Sequence, residues 1–176
     1  SIDTYKGNVA EAALQAGADL VNDIWGFKFD KKTALMTAKY NAACCLMHNK
    51  DEAVYNDFLE DMVSEMAECV KIAREAGVAD DKIMLDPGVG FGKTYEMNLA
   101  AINHVDVLHR LGFPILLGTS RKSVIGNTLN LPADQRVEGT LATTVIGVMK
   151  NCAFVRVHDI KENKRIIQMT KAILAH

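Results

Sequence analysis

The sequence predicts an α/β fold of parallel strands covered by helices, specifically a (β/α)8 TIM barrel with roughly its first two βα units missing from this chain. Three observations carry this. Short apolar runs alternate with stretches of 3.6-residue periodicity through six units. Nearly every run ends in polar residues: Asp3, Asn22 with Asp23, His48 after Met47, Asp86, Thr119 with Ser120, and Arg156, His158 and Asp159. A doubly wound open sheet fits the alternation too, but in it only the strand ends near the switch point are useful. In a barrel all strand ends converge on one mouth where sites are built, so the polar ends favour the barrel. Six units cannot close eight strands, and two more of about 30 residues each are expected before Ser1.

Taken in order, "SID" (1–3) reads as the tail of a strand, and the next runs are 20–24, 42–48, 83–87, 114–120 and 154–159. Helical periodicity marks 6–16, 31–40, 52–76, 96–111, 134–150 and 160–174. Segment 52–76 is the clearest, with Phe58, Met62, Met66, Cys69 or Val70, and Ala73 on one stripe. Gly17 and Gly77 stand just after two helices, where a C-terminal cap favours glycine. With "SID" and 154–159 both left as edges, this stretch made alone is expected to associate.

Bulk properties narrow the function. A chain of 176 residues, 49% hydrophobic, buries a core as one domain. A net charge of −2 gives no basic field for nucleic acid or an anionic membrane, and no apolar run approaches the roughly 18 residues of a membrane span. Cys44, Cys45, Cys69 and Cys152 contain no C-x-x-C pair, so zinc is not indicated. They read as small buried hydrophobes of a reducing cytoplasm.

"DPGVGFGKT" (86–94) imitates a phosphate-binding loop and fails physically. The first glycine of G-x-x-x-x-G-K-[ST] falls on Pro87, which has no N–H to offer a phosphate. The dinucleotide pattern fails as well, because Gly92 breaks its spacing. Pro87 also ends the strand, leaving the Asp86 carboxylate at its C-terminal end. Gly88, Gly90 and Gly92 let backbone approach a flat ligand, and Phe91 is placed to cover a ring. A helix N-cap with a flexible turn is the plain alternative.

"GTSRKSVIG" (118–126) puts hydroxyls and two cations before a short helix, an anion site by its free N–H groups; a solvated turn is the alternative. In "VRVHD" (155–159) Arg156 and His158 share a face. A buried arginine needs an anionic partner, and a phosphate-like ligand is favoured there over an internal ion pair. Asp3, Asn22, Asp86 and Lys122 together suit a flat heterocycle: the carboxylates accept its N–H groups and the lysine donates to its carbonyl.

The segments "SIDTYKGNVAEAALQAGADLVNDI", "LMH", "LDPGVGFGKTYEMNL", "PILLGTSRKSVIG", "EGTLATTV" and "FVRVHDI" occur in this order across the whole chain and resemble dihydropteroate synthases. The resemblance implies a (β/α)8 barrel with residues 1–176 as its partial pterin-binding domain. It implies condensation of 6-hydroxymethyl-7,8-dihydropterin diphosphate with 4-aminobenzoate, with loss of diphosphate, in folate biosynthesis. Asp3, Asn22, Ile24, Met47, Asp86, Phe91, Gly118 and Lys122 then match the pterin ligands, with Lys122 and Asp86 the catalytic candidates. Arg156 and His158 match the diphosphate-binding pair, and Ser123 the hydroxyl that seats the aminobenzoate carboxylate. Mg2+ is implied on the diphosphate, with a cytoplasmic homodimer and a sulfonamide target. The magnesium-ligating asparagine and a Thr-Arg pair near the aminobenzoate belong to the family's first strand and two mobile loops, which this sequence lacks. Two other readings stay open: a corrinoid-linked methyltetrahydrofolate methyltransferase, and a non-catalytic pterin-binding half-barrel.

Overall fold

A computed structural model describes all residues from Ser1 to His176. Its strands are β1 (Ile2–Asp3), β2 (Leu20–Asp23), β3 (Ala43–Met47), β4 (Ile83–Asp86), β5 (Leu116–Leu117) and β6 (Phe154–Val155). The helices are α1 (Gly7–Gln15), α2 (Lys31–Lys39), α3 (Phe58–Glu75), α4 (Tyr95–Asn103), α5 (Ser123–Leu129), α6 (Val137–Met149) and α7 (Ile160–Leu174). β1 to β4 pair in parallel in chain order, and β5 pairs with β6. A parallel bridge between Leu85 and Ile115 joins the two groups. Six strands in sequential order with helical crossovers are six consecutive βα units of a (β/α)8 barrel.

Two of the sequence boundaries moved. Segment 52–76 becomes helical only at Phe58, because the Asp57 side chain accepts the Leu59 and Glu60 N–H groups at 3.2 Å and starts the helix there. Segment 96–111 splits: α4 stops at Asn103, and Val105–Leu111 tightens into a 3-10 helix ending at Gly112. Runs 114–120 and 154–159 keep only two ladder residues each.

Register explains where the core sits. Side chains alternate along a strand, so Val21, Cys44, Leu46, Ile83, Leu85, Ile115 and Leu117 face the helices. There they join Met62, Met66, Cys69 and Ala73 of α3 and Leu108 in one buried cluster. The predicted α3 stripe is thus the stripe that packs. The opposite face of the strands is left for the site.

Candidate functional site at the strand ends

That opposite face is unusually polar at its C-terminal end. Asp3 pairs with Asn22, Asn22 with Cys45, and Met47 with Asp86, so all five point the same way. The Leu85–Ile115 bridge and the β5–β6 register put Gly118 and Arg156 on that face too.

Asp86 is its centre and is completely buried. Its Oδ1 accepts the Gly88 N–H at 2.8 Å and its Oδ2 accepts Nη2 of Arg156 at 3.1 Å. Nη1 of Arg156 donates to Asn22 Oδ1 at 2.8 Å, and Asn22 Nδ2 donates to Asp3 Oδ1 at 3.2 Å. Burial pushes the Asp86 carboxyl above the ordinary carboxylate range, while Lys122, the Gly88 N–H, Arg156 and Lys93 oppose that rise. Burial lowers Lys122, and the Asp86 charge works against the lowering. The Lys122 ammonium lies 5.0 Å from the Phe91 ring centroid and donates to the Val89 carbonyl.

The other predicted residues surround this centre in different ways. A Cβ on Gly118 would lie 3.1 Å from Arg156 Nη2 and 3.5 Å from Asp86 Oδ2, so glycine there keeps the slot open. Met47 is fully buried, level with Asp86, and Ile24 is half-buried just past β2. His158 is exposed; its Nδ1 lies 2.9 Å from Ser120 Oγ, which also accepts the His158 backbone N–H at 3.1 Å. Gly118, Ser120, Lys122, Arg156 and His158 line one cavity of about 200 Å3. Ser123 is the exposed first residue of α5, and no side chain caps that helix.

Arg156 requires a correction. The sequence favoured a buried arginine awaiting a phosphate-like ligand over an internal ion pair. In the structure its side chain is 45% exposed and the guanidinium is paired internally with Asp86. The buried carboxylate two strands away is the nearest anion, and the shared face brings the two together. Asp86 is likewise no helix cap: α4 begins at Tyr95, and Thr94 accepts the Met97 N–H. No group of three or more His, Cys, Asp or Glu is placed to cage a metal ion; a magnesium held mainly by diphosphate oxygens and water needs no such cage.

The model of the pterin binding enzyme family matches residues 1–158. The chain belongs to that family. Among curated members, the dihydropteroate synthase of Clostridium beijerinckii is 60% identical over 99% of this chain and 65% of its own length. That of Bacillus subtilis is 52% identical over 99% of this chain and 61% of its own length. The chain therefore spans somewhat less than two thirds of these relatives. A solved dihydropteroate synthase of Clostridium difficile, crystallised in the presence of pteroic acid, superposes with a TM-score of 0.95 at 48% identity, covering 98% of this chain and 66% of that one.

This pterin binding family member also uses residues that sequence reasoning passed over. Lys93, noticed only as the end of a false phosphate loop, is wedged under the glycine loop beside His48. A lysine closing a glycine-rich strand end was the available signal. Asp23 is completely buried, and its Oδ2 has no partner, while Oδ1 accepts the Trp25 N–H at 2.8 Å. Burial raises its pKa from 3.8 to about 6. With the folded value above the unfolded one, its contribution to stability is fully present below about pH 4 and is lost as pH rises through 6. The melting temperature of wild type, measured against the non-titrating Asp23→Asn, is expected to fall between pH 4 and pH 6. A difference independent of pH would show that Asp23 titrates normally.

Proposed function

We propose that the protein is a dihydropteroate synthase, joining 6-hydroxymethyl-7,8-dihydropterin diphosphate to 4-aminobenzoate and releasing diphosphate. One observation carries this reading beyond the family match. Asp86 Oδ2 and Asn22 Oδ1 together accept a planar fork of N–H donors, supplied here by Arg156. An aminopyrimidine edge of a pterin offers the same flat pattern of adjacent N–H groups.

On this reading Asp86 and Asn22 take the ring N–H groups, with Asp3 orienting the Asn22 amide. Lys122 donates to the ring carbonyl, and Phe91, Met47, Ile24 and Gly118 bound the slot. His158 and a released Arg156 hold the diphosphate, and Ser123 receives the aminobenzoate carboxylate. The C–O bond to diphosphate breaks with its electron pair leaving on oxygen. The exocyclic methylene becomes a cation delocalised into the pterin, the arylamine nitrogen attacks it, and that nitrogen then loses a proton. No protein nucleophile is needed; the residues position the reactants and stabilise separating charge. Mg2+ on the diphosphate, with ligands beyond those in this chain, completes the proposal, as do a cytoplasmic homodimer and sensitivity to sulfonamides.

The test is calorimetry with 6-hydroxymethylpterin, alongside a diphosphate-release assay on the full-length protein. Lys122→Ala and Asp86→Asn each remove a charge-assisted hydrogen bond of about 1.5–3 kcal/mol. Pterin affinity is expected to fall about ten- to a hundred-fold with little change in melting temperature. Equal binding by wild type and both variants would take these residues out of the site.

A further inference from the structure

Behind the slot lies a buried charge network that the reaction itself does not use. Lys93 Nζ is surrounded by four acceptors: His48 Nδ1 at 2.8 Å, the Gly88 and Phe91 carbonyls at 3.0 Å each, and the His48 carbonyl at 3.4 Å. Burial lowers the Lys93 pKa to about 7, with the Asp86 charge opposing the drop; as an ammonium Lys93 only donates, and His48 then accepts at Nδ1 and carries its proton on Nε2. That Nε2–H points at Glu65 Oε2, 3.0 Å away, and the other oxygen of Glu65 takes Lys50 Nζ at 2.8 Å. His48 is completely buried, and burial with Lys93, Lys28 and Lys50 around it holds its pKa down to about 2, so the ring stays neutral. With Lys93 charged, the tautomer is fixed from both sides.

The glycine loop wraps around this ammonium. The Lys93 side chain returns to the carbonyls of Gly88 and Phe91, closing residues 88–93 on themselves. The same loop presents the Gly88 N–H to Asp86 Oδ1, and the His48 N–H pins the Asp86 carbonyl at 2.9 Å. At the loop's far end Tyr55 Oη donates to the Gly92 carbonyl at 2.7 Å. Removing the ammonium would take the donor from the His48 and Phe91 carbonyls and one imidazole nitrogen, and leave the Gly88 carbonyl with only the Phe91 N–H at 3.1 Å. The Gly88 N–H, and with it the aim of the Asp86 carboxylate, would be free to drift.

We propose that Lys93 is a positioning residue of the pterin site, the post around which the 88–91 loop is held and through which Asp86 is aimed. The inference rests on the reading of Asp86 as the pterin anchor. It assigns Lys93 no contact with the ring: its reach ends at the loop carbonyls.

A double-mutant cycle in the full-length protein tests it, with 6-hydroxymethylpterin as the probe. Lys93→Met keeps length and bulk while removing the donors, and is expected to weaken pterin binding about ten-fold. Because the effect passes through Asp86, the same change made in Asp86→Asn should cost less than about two-fold; coupled residues are non-additive in this way. In steady state, Lys93→Met should raise the KM for the pterin diphosphate and leave that for 4-aminobenzoate in place. Should Lys93→Met fail to fold, Lys93→Arg, which keeps the charge but not the shape, carries the same cycle. A full ten-fold loss in both backgrounds, or no loss in either, would overturn the positioning role. Wild-type protein that does not bind the pterin would instead remove the site reading on which the proposal stands.

Discussion

Gly88→Ala is expected to lower the melting temperature by roughly 5–15 °C and to weaken pterin binding about a hundred-fold. The residue has φ +67°, a conformation that costs an L-residue with a Cβ about 1–2 kcal/mol. Its Cβ would also meet the His48 carbonyl oxygen, itself part of buried backbone, at 1.9 Å. Backbone cannot swing aside as a side chain does, and forced overpacking costs a further ~1–3 kcal/mol. For a chain of this size about 2–4 °C is lost per kcal/mol. Relief requires the loop to lift off strand β3, which takes the Gly88 N–H away from Asp86. Gly17→Ala is the control, because Gly17 has φ +99° but nothing within 4 Å of its Cβ position. It should lose the conformational part alone and bind pterin normally. If the two variants proved equally mild, the close approach of loop to strand would not matter.

Much of this was legible because periodicity reports burial directly. The α3 stripe of Met62, Met66, Cys69 and Ala73 is the stripe that packs, and the left-handed Gly17 and Gly77 follow α1 and α3 as caps. Pro87 marked the end of β4 and so placed Asp86 at the mouth. What stayed hidden was pairwise. Nothing local to Arg156 says that it will reach Asp86, 70 residues earlier in the chain, because that contact depends on how β5 and β6 are set against β4. Lys93 was hidden for another reason. Its partners are mostly backbone carbonyls, which every residue has, so no pattern of residue types announces the cage. The partnerless Oδ2 of Asp23 is equally silent in sequence, since an aspartate after an asparagine reads as one more polar strand end.

Arg156→Ala is expected to move two affinities in opposite directions. The guanidinium already fills the acceptors that the proposed function gives to a pterin edge, Asp86 Oδ2 and Asn22 Oδ1. The ring must therefore displace it. Truncation removes this competitor and leaves Asp86 buried without its arginine, so the free state is less favourable and bare 6-hydroxymethylpterin should bind more tightly. The gain is limited because the Arg156 side chain is 45% exposed and its pairing is screened by water; about five-fold is expected. The pterin diphosphate should behave oppositely. Once the ring has released Arg156, its guanidinium can turn to the diphosphate, where a bidentate contact is worth about 1.5–3 kcal/mol. Losing that should weaken the diphosphate form about three- to thirty-fold despite the easier entry of the ring. His158→Ala provides the comparison, since His158 bonds to Ser120 and makes no hydrogen bond to Asp86 or Asn22. It should weaken the diphosphate form and leave the bare ring unchanged. Calorimetry with both ligands on both variants decides the matter. Equal weakening of ring and diphosphate by Arg156→Ala would mean that the arginine supports the slot in the bound state too, and that no exchange of partners occurs.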